Sequence, residues 1–334
     1  MDNKITKKRL YNVISYDWVK MILISLAGIL LFSYIFSLTS VKLAPGQQFK
    51  YYIDQNLSTK DKTKGVSLND LIMKDTFSDE VKDLGVETLL KENNVLNPRL
   101  SIGEGNVIFT DFIDEDKPRA KIITDVQEIY TLDKHLTDCQ DYLAGFLKDE
   151  FNSLSLEEKR VKALTYDNLS VEKMEQDFLK TVSEIRYYRN GYRAGTITLD
   201  NQTKRIKKLC ADATDYAKLF EKDENGNYVY EHLFFRYTRY EYSYNPTGVT
   251  DDNYKKSYEK EISEGRENLI YGLKLDGLKG GKHQTADFFR VGDREDSYGV
   301  VLQVFDFYEL RKGLQFETIS FVVKVVKTFS NILG

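Results

Sequence analysis

The segment Asn106-Val-Ile-Phe-Thr-Asp-Phe112 is the stretch of the chain that decides its fold class. Its β-branched and aromatic residues form a short apolar run, which is typical of a buried strand. Upstream, Leu68–Met73 and Thr88–Lys91 predict short helices, and Arg99-Leu-Ser-Ile-Gly103 predicts a turn at its glycine. A helix, a glycine turn and a buried strand in succession are typical of α/β proteins, so we expect a mixed α/β domain.

Helix and strand signals continue on both sides of this segment. Short aromatic or β-branched runs predict strands at Phe49–Ile53 and Gly299–Phe307. Apolar residues spaced three and four apart predict four longer helices, at Leu132–Asp149, Val171–Arg189, Asn201–Phe220 and Phe316–Leu333. We interpret residues from about 155 to 222 as a helical insertion in the α/β domain.

Four further segments give weaker signals. Asn225-Gly226 predicts a turn, and Leu273–His283 predicts a loop that is rich in Gly and Lys. Tyr228–Tyr244 alternates aromatic with charged residues, which fits a strand or a mixed helix-strand piece equally well. The polar segment Asp251–Glu264 predicts another helix.

An uncharged apolar segment of 21 residues, Met21–Val41, lies near the N-terminus between Lys20 and Lys42. At about 1.5 Å per helical residue it reaches about 30 Å, the thickness of the hydrocarbon core of a bilayer. The alternative is a buried helix of a soluble domain, but such helices usually keep a polar stripe, and this segment offers only Ser and Thr. We therefore predict a transmembrane helix over residues 21–41.

The flanking charges predict the orientation of this helix. The first 20 residues carry a formal excess of +3, and positive flanks stay in the cytoplasm. A cleaved signal peptide is the alternative, but the segment exceeds the usual apolar region of roughly 7–15 residues and lacks an obvious cleavage site. We expect a cytoplasmic basic tail at 1–20, an uncleaved signal anchor at 21–41, a tether with the first strand at 42–66, and an exported domain at 67–334.

Composition excludes several classes of protein. The chain has 334 residues, 41% hydrophobic and 30% charged, so it can bury a core, and its net charge of −4 argues against a nucleic-acid partner. Cys139 and Cys210 are its only cysteines, which excludes a disulfide framework and leaves a single bridge open. The three histidines are isolated along the chain, so we expect no metal site and no cofactor.

Near matches to chemical motifs fail at the position that matters. Gly103-Glu-Gly105 has Ile108 where a dinucleotide fingerprint needs its third glycine, and it precedes a strand. Gly280-Gly281-Lys282-His283 has histidine where a phosphate loop needs Ser or Thr, and a calcium loop around Gly226 would end at His232 instead of Glu. We therefore expect a protein that is not an enzyme.

Aromatic residues are abundant, with 23 Tyr and 19 Phe, and they concentrate between residues 228 and 258. A ring with a polar tip suits a sugar or peptide ligand because its face stacks while its hydroxyl forms a hydrogen bond. Core packing is the alternative use. We take Tyr237, Tyr240 and Tyr242 as candidate ligand-binding residues.

A resemblance is carried by four segments: Lys8-Arg-Leu-Tyr-Asn-Val-Ile-Ser-Tyr-Asp-Trp18, Arg99-Leu-Ser-Ile-Gly-Glu-Gly-Asn-Val-Ile-Phe109, the charged helix at Thr203–Leu209, and Leu314-Gln-Phe-Glu-Thr-Ile-Ser-Phe321. They resemble an uncharacterised group of membrane-anchored proteins of Gram-positive bacteria (Firmicutes). That group in turn distantly resembles the extracellular solute-binding proteins of ABC importers, in which a ligand lies between two α/β lobes. The resemblance implies that Phe109, Asp111 and Phe112 lie near such a cleft.

The resemblance implies a non-catalytic, solute-binding-like or transporter-associated module with a carbohydrate or peptide ligand. The implied partners are the bilayer, through residues 21–41, and an ABC transporter or another membrane protein. The residues leave open a membrane-anchored structural or protein-interaction protein of the cell surface. A surface hydrolase would need titratable groups that converge in one pocket, and no spacing predicts them.

Overall fold

The computed structural model describes residues 6–8, 11, 18–39, 48–54, 57–59, 66–77, 83–89, 105–111, 129–188, 198–236, 269–291, 299–305 and 316–333. The chain divides into two compact units. One comprises Met1–Lys42 with Arg186–Arg193, and the other comprises Leu43–Ile185 with Ala194–Gly334.

The first unit contains helix α1, Trp18–Thr39, which is 22 residues long. Its window Trp18–Phe36 has a mean hydropathy of 2.2, and none of the window is buried. Among the described residues it is the one helix long and apolar enough to cross a membrane, which confirms the predicted apolar helix. Such a helix fits a membrane anchor or a signal sequence.

The second unit is built on a mixed sheet, which confirms the α/β fold class. Among the described residues this sheet has seven strands: β1 Gln48–Asp54, β3 Asp83–Leu89, β4 Val107–Asp111, β5 Ile129–Tyr130, β6 Phe234–Phe235, β7 Gly272–Lys274 and β9 Val300–Phe305. Six of them lie in the order β3-β1-β4-β9-β7-β6, and β5 is also paired to β9. Strand β1 is parallel to β3 and β4, and the other pairs are antiparallel. A separate antiparallel pair joins β2, Leu57–Thr59, to β8, Phe289–Val291.

Six further helices begin in the described part of this unit, and their starts follow from local sequence. They are α2 Leu68–Met73, α3 Leu132–Ala144, α4 Leu156–Ala163, α5 Val171–Tyr188, α6 Leu199–Lys218 and α7 Glu317–Phe329. Four of them begin at a side-chain cap, which satisfies backbone N–H groups that a helix start otherwise leaves open. Ser67 caps α2, Ser170 caps α5, Thr198 caps α6, and Ser155 forms a capping box with Glu158 at α4.

Helix α7 lies between the sheet and the other helices. On the sheet side the Phe321 ring lies 5.0 Å from that of Phe49, 5.6 Å from that of Tyr51 and 6.1 Å from that of Phe109. Helix α7 also packs against α6 and α2. The sequence predicted this closing helix, but the structure buries it on nearly every side, and only Lys327 is exposed in the helix.

One predicted segment is wrong and another is right only in part. The helix predicted at Thr88–Lys91 is excluded because Thr88 and Leu89 lie in β3, which pairs along its whole length with β1. The loop predicted at Leu273–His283 begins inside β7, and a 3-10 turn at Leu275–Gly277 and irregular structure follow. Gly272 there serves close packing, because a Cβ atom would lie 2.6 Å from the carbonyl oxygen of Leu302 on β9.

The predicted helical middle is present as α4, α5 and α6. Helix α6 packs against both α3 and α7, and its buried residues share one hydrophobic core with the sheet. The mixed piece predicted after Tyr228 contains a 3-10 turn at Glu231–Leu233 followed by β6. The helix predicted at Asp251–Glu264 lies outside the described residues.

We expect the substitution Phe321→Ala to destabilise this unit by about 3–5 kcal/mol, because it removes a fully buried ring between the sheet and α7. Urea unfolding of the full-length protein in detergent measures the change. Leu179→Ala on α5 is the control, since that side chain is 59% exposed and its loss should cost little. Equal midpoints for the two variants would contradict this account of the core.

Candidate functional site

A group of buried and partly buried polar side chains lies at the first turn of α7. We call it the α7 polar cluster. Glu317, Thr318 and Ser320 of α7 contact Arg205 of α6, His135 of α3 and Asp212 of α6, respectively, and Lys208 of α6 pairs with Asp212 on its own helix. It joins three helices at one point.

Arg205 and Glu317 form an ion pair across α6 and α7, with their side chains only 8% and 14% exposed. Arg205 Nη1 also donates to Gln202 Oε1 at 2.8 Å. Glu317 is the first residue of α7, where a negative charge also interacts favourably with the helix dipole. Removing one partner would leave a charge largely out of water, which is strongly unfavourable.

Asp212 links the same helices one turn further along. The Ser320 hydroxyl donates to Asp212 Oδ2, and Lys208 Nζ donates to the same oxygen at 2.7 Å. Both hydrogen bonds satisfy a carboxylate that is mostly buried. Two basic residues of α6, Arg205 and Lys208, are therefore paired with carboxylates of the protein itself.

His135 is the fully buried histidine of the cluster, with 0% of its surface exposed. Its Nε2 atom lies 2.8 Å from Thr318 Oγ1, and its Nδ1 atom has no hydrogen-bond partner among the described residues. The aromatic rings of Tyr130, Tyr216 and Phe316 lie 4.8, 5.8 and 6.2 Å from the imidazole. Burial lowers the pKa of His135 to about 3, so the imidazole is neutral at ordinary pH.

The position of His135 follows from the pattern of α3. The buried residues Leu132, Leu136, Cys139 and Leu143 form one face of this helix, and His135 lies on that face beside Leu132 and Leu136. Its backbone N–H donates to the Thr131 carbonyl oxygen at 2.9 Å, so it belongs to the first turn of the helix.

The cluster is suited to holding helices together. Its charged groups are already paired with one another and most are largely removed from water, whereas a general acid or base must reach the proton that it moves. Among the described residues, no group of three or more His, Cys, Asp or Glu side chains could hold a metal ion. What the geometry supports is a structural role, in which two helices fix the start of α7.

Two of the six candidate ligand-binding residues fall within the described residues. Phe109 is fully buried, and its ring lies 4.8 Å from that of Phe289 and 5.8 Å from that of Tyr51, so it is part of the core. Asp111 ends β4 opposite Val300. The other four, Phe112, Tyr237, Tyr240 and Tyr242, lie outside the described residues, and the ligand role of the set stays a prediction.

The strands that precede the two groups of candidate residues in the chain are β4 and β6. Strand β4 is antiparallel to β9, β9 to β7, and β7 to β6, so β4 and β6 run in opposite directions. The chain therefore leaves β4 at Asp111 and leaves β6 at Phe235 in opposite directions.

The sequence patterns did not single out the α7 polar cluster. A buried histidine could have been suspected because His135 lies between the apolar residues Leu132 and Leu136 of one predicted helix face. Arg205 likewise adjoins Ile206 on the apolar face of α6. Neither signal identifies the partner, because Glu317 and Thr318 lie more than 100 residues further along the chain.

No protein-family description, curated protein or solved structure matches this chain.

We expect acid to destabilise the fold through His135. Because its pKa in the folded protein lies below the unfolded value of about 6.5, its contribution is complete above that pH and is lost as the pH falls toward about 3. At two pH units below 6.5 the loss is roughly 3 kcal/mol. His135→Gln should flatten this part of the curve of unfolding free energy against pH.

Denaturant titrations at a series of pH values measure that curve. The exposed His232 provides the matched control, and His232→Gln should keep the wild-type slope. If His135→Gln also kept the full acid slope, the loss would have to come from other groups.

Proposed function

We propose that this chain is a single-pass membrane-anchored protein whose extracytoplasmic α/β domain is a non-catalytic, solute-binding-like or transporter-associated module. The observation that carries the anchor is helix α1, whose apolar side chains are exposed along its length. The finer parts of the proposal come from the charge pattern, the aromatic residues and the resemblance to membrane-anchored proteins of Gram-positive bacteria.

Helix α1 supports an anchor on energetic grounds. Its 22 residues span about 33 Å at 1.5 Å per residue, enough for a hydrocarbon core of about 30 Å. Exposed apolar area costs about 25 cal/mol per Å² in water, and large residues such as Ile24, Phe32 and Phe36 are each more than 60% exposed. A core helix of a soluble protein would bury these side chains, whereas a bilayer covers them all round.

The orientation of the proposal comes from charge. Residues 1–20 carry an excess of +3, and the remainder carries −7. Basic flanks are retained in the cytoplasm, so the α/β domain would lie outside. The partners in this proposal are the bilayer itself and an ABC transporter or another membrane protein beside it.

A ligand role rests on the aromatic residues and on the resemblance. Tyr237, Tyr240 and Tyr242 follow β6 in the sequence, and their rings and hydroxyls suit a carbohydrate or a peptide. Asp111, which ends β4, and Phe112, the next residue in the sequence, would supply a polar and an aromatic contact. Phe109 would support that end of the strand from within the core.

A second candidate function, a structural or protein-interaction role, is favoured by strand β3. This strand ends the order of the sheet within the described residues, and its Leu84 and Val86 are 43% and 48% exposed. Edge strands with apolar side chains can pair with an added strand of another chain.

We expect the full-length protein to stay in the membrane pellet after alkaline carbonate extraction, and its α/β domain to be cut by protease added outside intact cells stripped of their wall. The double substitution Ile29→Arg/Leu30→Arg should reduce the membrane fraction, because each arginine adds roughly 2.5–3.5 kcal/mol to insertion. Leu179→Arg, outside α1, is the control. Protection of the domain from external protease would contradict the proposed orientation.

We expect the full-length protein in detergent to unfold at a higher temperature in the presence of one class of ligand among sugars, oligosaccharides, amino acids and short peptides. A ligand at 100 times its dissociation constant adds about 2.7 kcal/mol to the stability of a one-site protein. Tyr240→Ala would then reduce this shift in unfolding temperature. Tyr142→Phe is the control, because Tyr142 is a half-buried residue that packs against the core. A flat response from a folded sample would favour the interaction role instead.

A further inference from the structure

The two cysteines of the chain lie in the same helical layer. Cys139 is on α3 and Cys210 is on α6, and both side chains are buried in one hydrophobic core. Helices α3 and α6 pack together, with Cα atoms that approach within 8 Å of each other. Each cysteine lies on the buried face of its helix, beside Leu136 and Leu143 on α3 and beside Ile206 and Ala213 on α6.

Small residues allow the backbones to approach closely around this pair. Cys210 Sγ donates to the Ala163 carbonyl oxygen at 3.6 Å, and Ala163 and Ala213 are both fully buried. Cysteine itself is small, so the α3–α6 interface is not held apart by bulky side chains at these positions. A disulfide needs Cα atoms about 4.4–6.8 Å apart, a separation that closely packed helices can reach.

Contacts through α4 place the two cysteines in one region of the helical layer. Cys210 Sγ contacts the last residue of α4, Ala163, and Arg160, one turn earlier on α4, donates from Nε to Asp141 Oδ1 on α3 at 2.7 Å, two residues after Cys139. Burial raises the pKa of the Cys139 thiol well above its usual range, and Cys210 and Asp138 raise it further. Burial raises the pKa of Cys210 to about 12. Both groups are therefore thiols in the folded protein, and thiols react with oxidants far more slowly than thiolates.

We propose that Cys139 and Cys210 form an oxidisable pair that closes one disulfide between α3 and α6 when the domain folds outside the cytoplasm. The oxidant is another disulfide, which reacts with the two cysteines by thiol-disulfide exchange. The two cysteines lose two protons and two electrons and gain an S–S bond, while the S–S bond of the oxidant is reduced to two thiols. This inference rests on the proposed export of the domain, because the cytoplasm keeps thiols reduced.

The order of events follows from burial. The oxidant must react before α3 and α6 have packed, since afterwards the thiols are shielded and protonated. The bond would then be protected from reduction by the same packing. Because 71 positions separate the two cysteines, the bond would close a long loop and restrict the unfolded chain, which stabilises the fold.

Refolding tests whether Cys139 and Cys210 form a disulfide, independently of where the domain lies in the cell. The full-length protein is unfolded in urea, refolded into detergent in a mixture of reduced and oxidised glutathione, quenched with acid, and treated with N-ethylmaleimide in SDS without reductant. We expect an intact mass without adducts, two adducts after reduction, and a cross-linked tryptic peptide that contains Cys139 and Cys210. The oxidised protein should also unfold at a higher temperature than the reduced protein.

Cys139→Ala and Cys210→Ala serve as matched controls. Each variant should take up maleimide or glutathione on its one remaining cysteine and should give no internal cross-link. The mass of the wild-type protein decides the question even if a variant fails to fold. Two maleimide adducts on a wild-type protein that has regained its near-UV circular dichroism would overturn the proposal.

The same treatment with N-ethylmaleimide, applied to intact cells, distinguishes failure of the disulfide from failure of the proposed export. No adducts in cells and no adducts after refolding support the proposal in full. Two adducts in cells, together with a cross-link after refolding, would overturn the disulfide in the living cell and count against export, while the pairing of the two thiols would stand.

Discussion

The fold depends on the burial of helix α7 between the sheet and the helical layer. One side of this helix supplies Phe321 to the aromatic core of β1 and β4, and the other faces α6. A helix covered on both sides must satisfy the polar groups of its first turn inside the protein. Glu317, Thr318 and Ser320 meet that requirement through Arg205, His135 and Asp212.

The two compact units differ in whether their apolar side chains are buried or exposed. In the α/β unit apolar side chains are removed from water and buried charges are paired, as in the Arg205–Glu317 ion pair. In α1 the apolar side chains point outward in every direction, and its window Trp18–Phe36 is unburied. One chain thus combines a segment suited to lipid with a domain suited to water, which is why a membrane-anchored module is the function that we propose.

Local patterns predicted the elements whose stability is mainly local. The helix at Leu68–Met73 and the strands around Phe49–Ile53 and Val107–Asp111 were found because their own residues carry the periodicity. The helix prediction at Thr88–Lys91 failed because the conformation of Thr88 and Leu89 comes from pairing with β1, and a short stretch of sequence contains no information on that pairing. The α7 polar cluster was missed for the same reason, since His135 meets Thr318 only after the chain has folded. The candidate ligand residues lie mostly outside the described residues, so their roles remain predictions.

The order of the strands has a consequence for biosynthesis. Strand β4 lies between β1, near the start of the domain, and β9, which begins at Val300, and the core is closed only by α7 at Glu317–Phe329. Contacts so distant in sequence slow folding, and the core cannot be completed until α7 has been synthesised. A chain released early by the ribosome would expose the apolar faces of β1 and β4, and would be a natural substrate for quality-control proteases.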